Sequence, residues 1–178
     1  LSDATRFADL VLPHLDAGYN LARWLARDPH DAEDVVQDAC VRALKYASAL
    51  HGSDGKAWFL TIVRHAFYDW QRRNRALGTA WDGQAAIDDA PDTAPGPEQA
   101  AIRNAELRLL ADVLASLPLP FREVLVLREL EELSYREIAR IVDIPIGTVM
   151  SRLARARSLL QGAPALRAID GRTTRGAP

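Results

Sequence analysis

A single cysteine, Cys40, is the whole thiol complement of this chain, which excludes an internal disulfide and any multi-cysteine zinc site. No apolar run approaches the roughly 20 residues that span a bilayer, and Leu1-Ser2-Asp3 does not begin a charged-then-apolar leader. The expected setting is therefore the cytoplasm. Period-two alternation is missing over any useful length, so strands are not expected. Net charge is nearly absent as well: 22 basic against 24 acidic side chains leave −2, a balance that ordinarily argues against a nucleic-acid partner. Lysine is scarce, only Lys45 and Lys56 standing beside 20 arginines; genome composition accounts for that as readily as phosphate chemistry.

What is present is a chain of 178 residues, 48% hydrophobic and 26% charged, enough for a core and for one or two domains. Its charge is unevenly spread. Residues 1–55 carry −4, 56–78 carry +4, 79–97 carry −4, 98–133 carry −3 and 134–178 carry +5. Two basic blocks set among acidic ones suggest two polyanion-facing surfaces on a protein that avoids binding polyanions indiscriminately. Gly78, Gly83, Pro91, Pro95 and Gly96, mixed with Asp82, Asp88, Asp89 and Asp92, read as an acidic flexible linker.

Elsewhere the period is helical. The pattern predicts a helix from about Ser2 to Arg27, perturbed near Pro13, and a second from Asp31 to Ser48 with Asp31 as N-cap. A third spans about Lys56 to Arg75; beyond the linker come Glu98 to Ser116, Pro120 to Leu130, Ser134 to Val142 and Pro145 to Gln161. The expected fold is all-α: two small helical domains, 1–76 and 98–161, joined by a linker over 77–97, with a frayed tail over 162–178.

On the third helix Phe59, Ile62, Val63, Ala66, Phe67 and Trp70 share one face, while Thr61, Arg64, His65, Tyr68 and Arg72 form a stripe opposite. Guanidinium, imidazole, phenol and hydroxyl groups together suit phosphates and unpaired bases. The preceding loop, Ala49 to Gly55, is rich in small residues that permit close backbone approach. The second helix is expected to bury Val35, Val36, Ala39, Cys40, Ala43, Leu44 and Ala47 and to show Asp34, Gln37, Asp38, Val41 and Lys45. A valine ringed by polar residues hints at a docking surface. His30 beside Asp31, Glu33 and Asp34 is not a metal site, because neighbouring carboxylates on one helix N-terminus do not converge; no metal and no cofactor are expected.

Ser134-Tyr135-Arg136-Glu137 is a capping box. It opens a short helix; Asp143-Ile144-Pro145 breaks it, and an arginine-rich helix follows. Short helix, tight turn and longer basic helix make a helix-turn-helix. Val149, Leu153, Ala156 and Leu160 face inward, leaving Thr148, Ser151, Arg152 and Arg155 outward near the N-terminal half, where a recognition helix meets base edges and phosphates.

Asp31-Ala32-Glu33-Asp34-Val35-Val36-Gln37-Asp38-Ala39, Ala57-Trp58-Phe59-Leu60-Thr61-Ile62-Val63-Arg64, Leu117-Pro118, Arg122-Glu123-Val124-Leu125, Ser134 to Ala139, and Gly147-Thr148-Val149 with Ser151-Arg152-Leu153 occur in series. Over about residues 5–161 this order resembles the extracytoplasmic-function sigma factors of bacterial RNA polymerase. The resemblance implies that 1–76 is sigma region 2 and 98–161 is sigma region 4. It implies that Asp34, Gln37, Asp38 and Val41 dock on the clamp coiled coil of the polymerase largest subunit, with the flap of the second subunit as a further contact. It assigns the loop at 50–56, Thr61, Arg64, His65, Tyr68 and Arg72 to minus-ten promoter DNA, and Thr148, Ser151, Arg152 and Arg155, helped by Arg136, to the minus-thirty-five element. An anti-sigma factor is the further partner implied, and could hold the protein at the membrane. Two positions depart from the family pattern: His65, where asparagine is usual, and Met150, where a basic residue is common. Promoter sequence therefore does not carry over. The competing reading is a stand-alone helix-turn-helix regulator, which predicts a dimer on a palindrome and leaves the stripe at 61–72 without a role. An enzyme lacks a nucleophile or metal constellation to work with.

Overall fold

The computed structural model describes residues 3–47, 54–77 and 97–164, and every described element is a helix or a turn. The linker, most of the small-residue loop before residue 54 and the tail beyond 164 lie outside the described residues. α1 (Asp3–Val11) passes through a 3-10 turn (Leu12–His14) into α2 (Leu15–Ala26). Pro13, which has no amide hydrogen to donate, sits at that turn, and this is why the long first helix is two. α3 (Pro29–Tyr46) and α4 (Gly55–Ala76) complete the first half; α5 (Pro97–Ser116), α6 (Leu119–Glu129), α7 (Tyr135–Val142) and α8 (Ile146–Gly162) make the second.

The start of α3 differs from expectation. Its N-cap is Asp28, not Asp31: the Asp28 carboxylate accepts from the amides of His30 at 2.8 Å and Asp31 at 3.2 Å. Pro29 between them occupies the first helical position, where a missing amide hydrogen costs nothing. Arg27, in the left-handed region at φ 67°, terminates α2 and turns the chain sharply into that cap. A second aspartate, Asp54, caps α4 by accepting from Ala57 N at 3.1 Å.

Leu21 and Leu25 of α2, Val35, Ala39 and Ala43 of α3, and Phe59, Leu60, Val63, Ala66 and Phe67 of α4 are buried together. Gly18 makes the α2–α4 approach possible, because a Cβ there would stand 2.5 Å from the Phe59 ring. Leu44, expected inside, is 47% exposed. It follows Ala43 directly and is turned about 100° from it, out of the core direction.

In the second half Val124 to Leu127, Ile138, Ile141, Val142, Val149, Leu153 and Ala156 are buried. α6 is unusual in burying six consecutive residues, Arg122 to Leu127. It is covered all round, by α7 and α8 of its own half and by α2 of the other, while α7 packs against α4. The two halves thus share one apolar cluster. Near the seam Arg122, 5% exposed, donates to Ala115 O at 2.8 Å, Leu117 O at 3.2 Å and Leu25 O at 3.5 Å, spanning the C-terminal ends of α5 and α2. Among the described residues no helix is long and apolar enough to cross a membrane.

Candidate nucleic-acid interface

The outer stripe of α4 converges on a shallow depression of about 440 Å³ that is lined by Arg64, His65, Tyr68 and Arg72, as the periodicity predicts, and also by Arg42 and Asp69. Thr61 is not part of it. Its hydroxyl donates to Ala57 O, one turn back, at 2.8 Å. A mid-helix threonine often spends its hydroxyl this way. Arg72 is exposed and paired with Asp69; His65 is exposed.

Arg64 and Tyr68 are not simply facing solvent. Arg64 Nε donates to Glu123 Oε1 of α6 at 2.7 Å, and the Tyr68 hydroxyl donates to Glu123 Oε2 at 3.4 Å. The guanidinium carbon of Arg64 lies 4.7 Å from the centre of the Tyr68 ring, a cation–π arrangement. Burial, then the Glu123 carboxylate, push the Tyr68 phenol up to about 12. Glu123 itself is 1% exposed, and burial raises its pKa in spite of the neighbouring Arg64. Helical periodicity places Arg64 on the outer stripe but carries no information about an acid 59 residues away.

On α3, Asp34 and Gln37 are exposed and Val41 is 54% exposed, as expected of a docking face. Asp38 is less free: Arg42 donates to it at 2.7 Å and to Asp69 at 2.6 Å, so a chain of ion pairs joins α3 to α4. These hydrogen bonds raise the Arg42 pKa, and those from Arg42 and Arg72 lower that of Asp69. Leu44 and Tyr46 extend the apolar exposure beyond Val41.

In the second half the capping box is formed at both ends: Glu137 N donates to Ser134 Oγ at 3.3 Å and Ser134 N to Glu137 Oε2 at 2.7 Å. The contact with Ser134 holds the Glu137 carboxyl below its ordinary pKa. Asp143, in the left-handed region at φ 56°, makes the tight turn, and Ile144 N closes it on Ala139 O at 3.1 Å. α8 then presents Ser151 and Arg155 as exposed and Thr148 and Arg152 as half-buried, with Arg136 exposed on α7 and Met150 exposed beside Ser151. Arg157 pairs with Glu129 at 2.6 Å.

Two family descriptions match the chain, "Sigma-70 region 2" over residues 10–77 and "Sigma-70, region 4" over residues 107–160. The ECF RNA polymerase sigma-E factor of Haemophilus influenzae is 31% identical over 150 residues, covering 79% of this chain and 77% of its own length. The chain belongs to the extracytoplasmic-function sigma factors.

The ECF RNA polymerase sigma factor SigE of Mycolicibacterium smegmatis is 35% identical over 86% of this chain, which spans only 59% of that relative's length. SigW of Bacillus subtilis is 28% identical, with 89% of each chain covered. Among solved structures, the sigma factor RpoE of Bartonella quintana, crystallised with the anti-sigma factor NepR, superposes with a TM-score of 0.73 at 30% identity, covering 88% of this chain and 93% of that one. CnrH in complex with the cytosolic domain of CnrY superposes at 0.62 and 26% identity, covering 88% and 85%. The two sigma regions flank the linker and coincide with the two packed halves, and the helix-turn-helix lies within region 4.

Proposed function

We propose that this sigma factor binds core RNA polymerase, directs it to particular promoters and helps to open the DNA, by capture rather than by catalysis. The observation that carries the reading is the pairing of two different nucleic-acid surfaces in one chain. One is a basic and aromatic depression on α4, suited to unpaired bases; the other is a row near the start of the helix-turn-helix recognition helix, with Ser151 and Arg155 exposed and Thr148 and Arg152 half-buried, in which the arginines are the free donors because the Ser151 hydroxyl donates to Thr148 O at 3.0 Å. A stand-alone regulator needs only the second.

In this reading Asp34, Gln37, Asp38 and Val41 meet the polymerase clamp, with Leu44 widening the apolar part of the contact. Arg64, His65, Tyr68 and Arg72 hold minus-ten bases and phosphates, and Thr61 acts through its helix. Ser151, Arg152 and Arg155, with Thr148 and Arg136, read the minus-thirty-five duplex. The halves would be domains in their own right, near 1–76 and 98–161, joined by the acidic linker. Because the Bartonella quintana relative was crystallised with an anti-sigma factor, such a factor is the expected restraint on this chain too, in a cytoplasmic setting.

The test is reconstitution. Core polymerase with the purified chain should start transcription at the promoter of the chain's own operon and not at unrelated DNA. If core gains no promoter selectivity while the chain alone protects a palindrome, the regulator reading replaces this one.

A further inference from the structure

We propose that a cavity lined by Arg27, Arg75, Arg122 and Trp70 is a binding site for a free nucleotide, with its phosphates on the guanidiniums and its base on the indole.

The cavity lies where α2, α4, α5 and α6 meet and measures about 780 Å³, within the roughly 300–1,000 Å³ of small-molecule sites. Phe67, Trp70, Gln71 and Asn74 line it from a different side of α4 than the stripe at Arg64, His65, Tyr68 and Arg72. It is therefore separate from the DNA-facing depression. Its charge is one-sided: three guanidiniums, those of Arg27, Arg75 and Arg122, stand against one carboxylate, that of Asp31.

Arg122 is the group that calls for an anion. It is 5% exposed, and all its hydrogen bonds go to backbone carbonyls, which carry no full charge. Its Nε is buried without a hydrogen-bond partner. The charge beside it is a second cation, because Arg27 donates to the same Ala115 carbonyl. Burial, then Arg27, push the Arg122 pKa down to about 10, which still leaves it charged at neutral pH. Buried cations ordinarily sit beside a counter-charge. An anion in the cavity supplies it, screens the two guanidiniums from each other and offers acceptors to both. Clustered guanidiniums grip phosphate through paired, charge-assisted hydrogen bonds.

The aromatic wall narrows the class of anion. The Phe67 and Trp70 rings are stacked, with centroids 5.9 Å apart and planes at 26°. Phe67 is buried and Trp70 only half-buried, so the stack ends at an indole that a base can extend. Gln71, on the same wall, offers both a donor and an acceptor to a base edge. Inorganic phosphate leaves this wall unused, and a nucleoside leaves the guanidiniums unmatched. A nucleotide uses both.

The experiment titrates the full chain with adenosine diphosphate and with guanosine diphosphate, followed by calorimetry and by quenching of tryptophan fluorescence. At least one should bind about tenfold or more tighter than inorganic phosphate or its own nucleoside, since each of those lacks one set of contacts. Failure of both diphosphates to bind at millimolar concentration overturns the proposal, as does phosphate binding equally well.

A nucleotide could also settle in the DNA-facing depression, and two equal changes of charge separate the sites. Arg75→Gln, at an exposed position of the cavity, should weaken nucleotide binding about tenfold. Arg72→Gln, in the depression, should alter it by no more than about twofold, because solvent and salt screen an exposed charge that makes no contact. The reverse ranking, or equal effects, overturns the site. In Trp70→Phe the quench should largely vanish while calorimetry still registers binding; a quench that survives means the base lies elsewhere. Arg122→Met should abolish binding. Should that variant fail to fold, as judged by its melting curve, Arg75→Gln and Trp70→Phe decide on the same readings.

Discussion

Replacing Arg122 by methionine would test whether the two halves fold as one cooperative unit. The guanidinium gives two charge-assisted hydrogen bonds to buried carbonyls, at 2.8 and 3.2 Å, and a longer one at 3.5 Å into α2. Bonds of this type contribute about 1.5–3 kcal/mol each, so losing the two shorter ones costs on the order of 3–6 kcal/mol. Against this stands the burial of a charge. Burial first, and then Arg27, push the Arg122 pKa down to about 10, an opposing contribution on the order of 3 kcal/mol that methionine relieves. Ala115 O also keeps the donor from Arg27. The balance is a net loss centred on about 1.5 kcal/mol, which lowers a urea midpoint by about 0.7 M at an m-value near 2 kcal/mol/M. All four tryptophans, Trp24, Trp58, Trp70 and Trp81, precede residue 97. Three of them lie in the first half, Trp81 lies in the linker and none lies in the second half, so tryptophan fluorescence reports mainly the first half, whereas circular dichroism follows both. Because Arg122 lies in the second half and reaches Leu25 O in the first, both transitions should move together. A midpoint that stays or rises would refute the energetic argument. A dichroism midpoint that moves without the fluorescence one would refute the coupling.

Asp28→Ala should cost about 1 kcal/mol through loss of the α3 cap, or about 2–4 °C in Tm for a chain of this size, measured by thermal melting. Tyr68, with its phenol pushed up to about 12, should give a late step in an alkaline absorbance titration, and Tyr68→Phe should delete that step. The raised value means that the stabilisation of its protonated phenol is intact below about pH 10 and is lost as pH rises through 12. Asp34→Arg together with Val41→Asp, both on exposed sites, should weaken core polymerase binding about tenfold or more with no change in melting temperature, as read by equilibrium titration. Arg155→Ala should weaken binding to the minus-thirty-five duplex by about 1–3 kcal/mol if it reads a base; unaltered promoter selectivity would remove it from the reading row.

Local chemistry made much of this molecule legible in advance. The capping box at Ser134 and Glu137, the break at Pro13, the inward row of α8 and the two faces of α4 all depend on residues three or four apart, and a linear sequence displays such spacings directly. Asp28 was hidden because a better-placed cap lies just before Pro29, and proline at the first helical position moves the helix start back. Leu44 is apolar but lies just outside the buried arc of α3, and residue type alone does not mark where that arc ends. The exposed row of α8 was readable because its inward side is set within its own half.

Helix content, the order of the two sigma regions and the chemistry of each candidate surface are properties of short stretches, and the sequence determined them by itself. Which of those surfaces are open was decided only by tertiary structure. Arg64 reads as a solvent-facing cation until α6 brings Glu123 to it across 59 residues, and α6 reads as the core of one half until α2 covers its remaining side. Long-range pairing depends on how whole faces pack, and no local spacing encodes the partner of a buried charge.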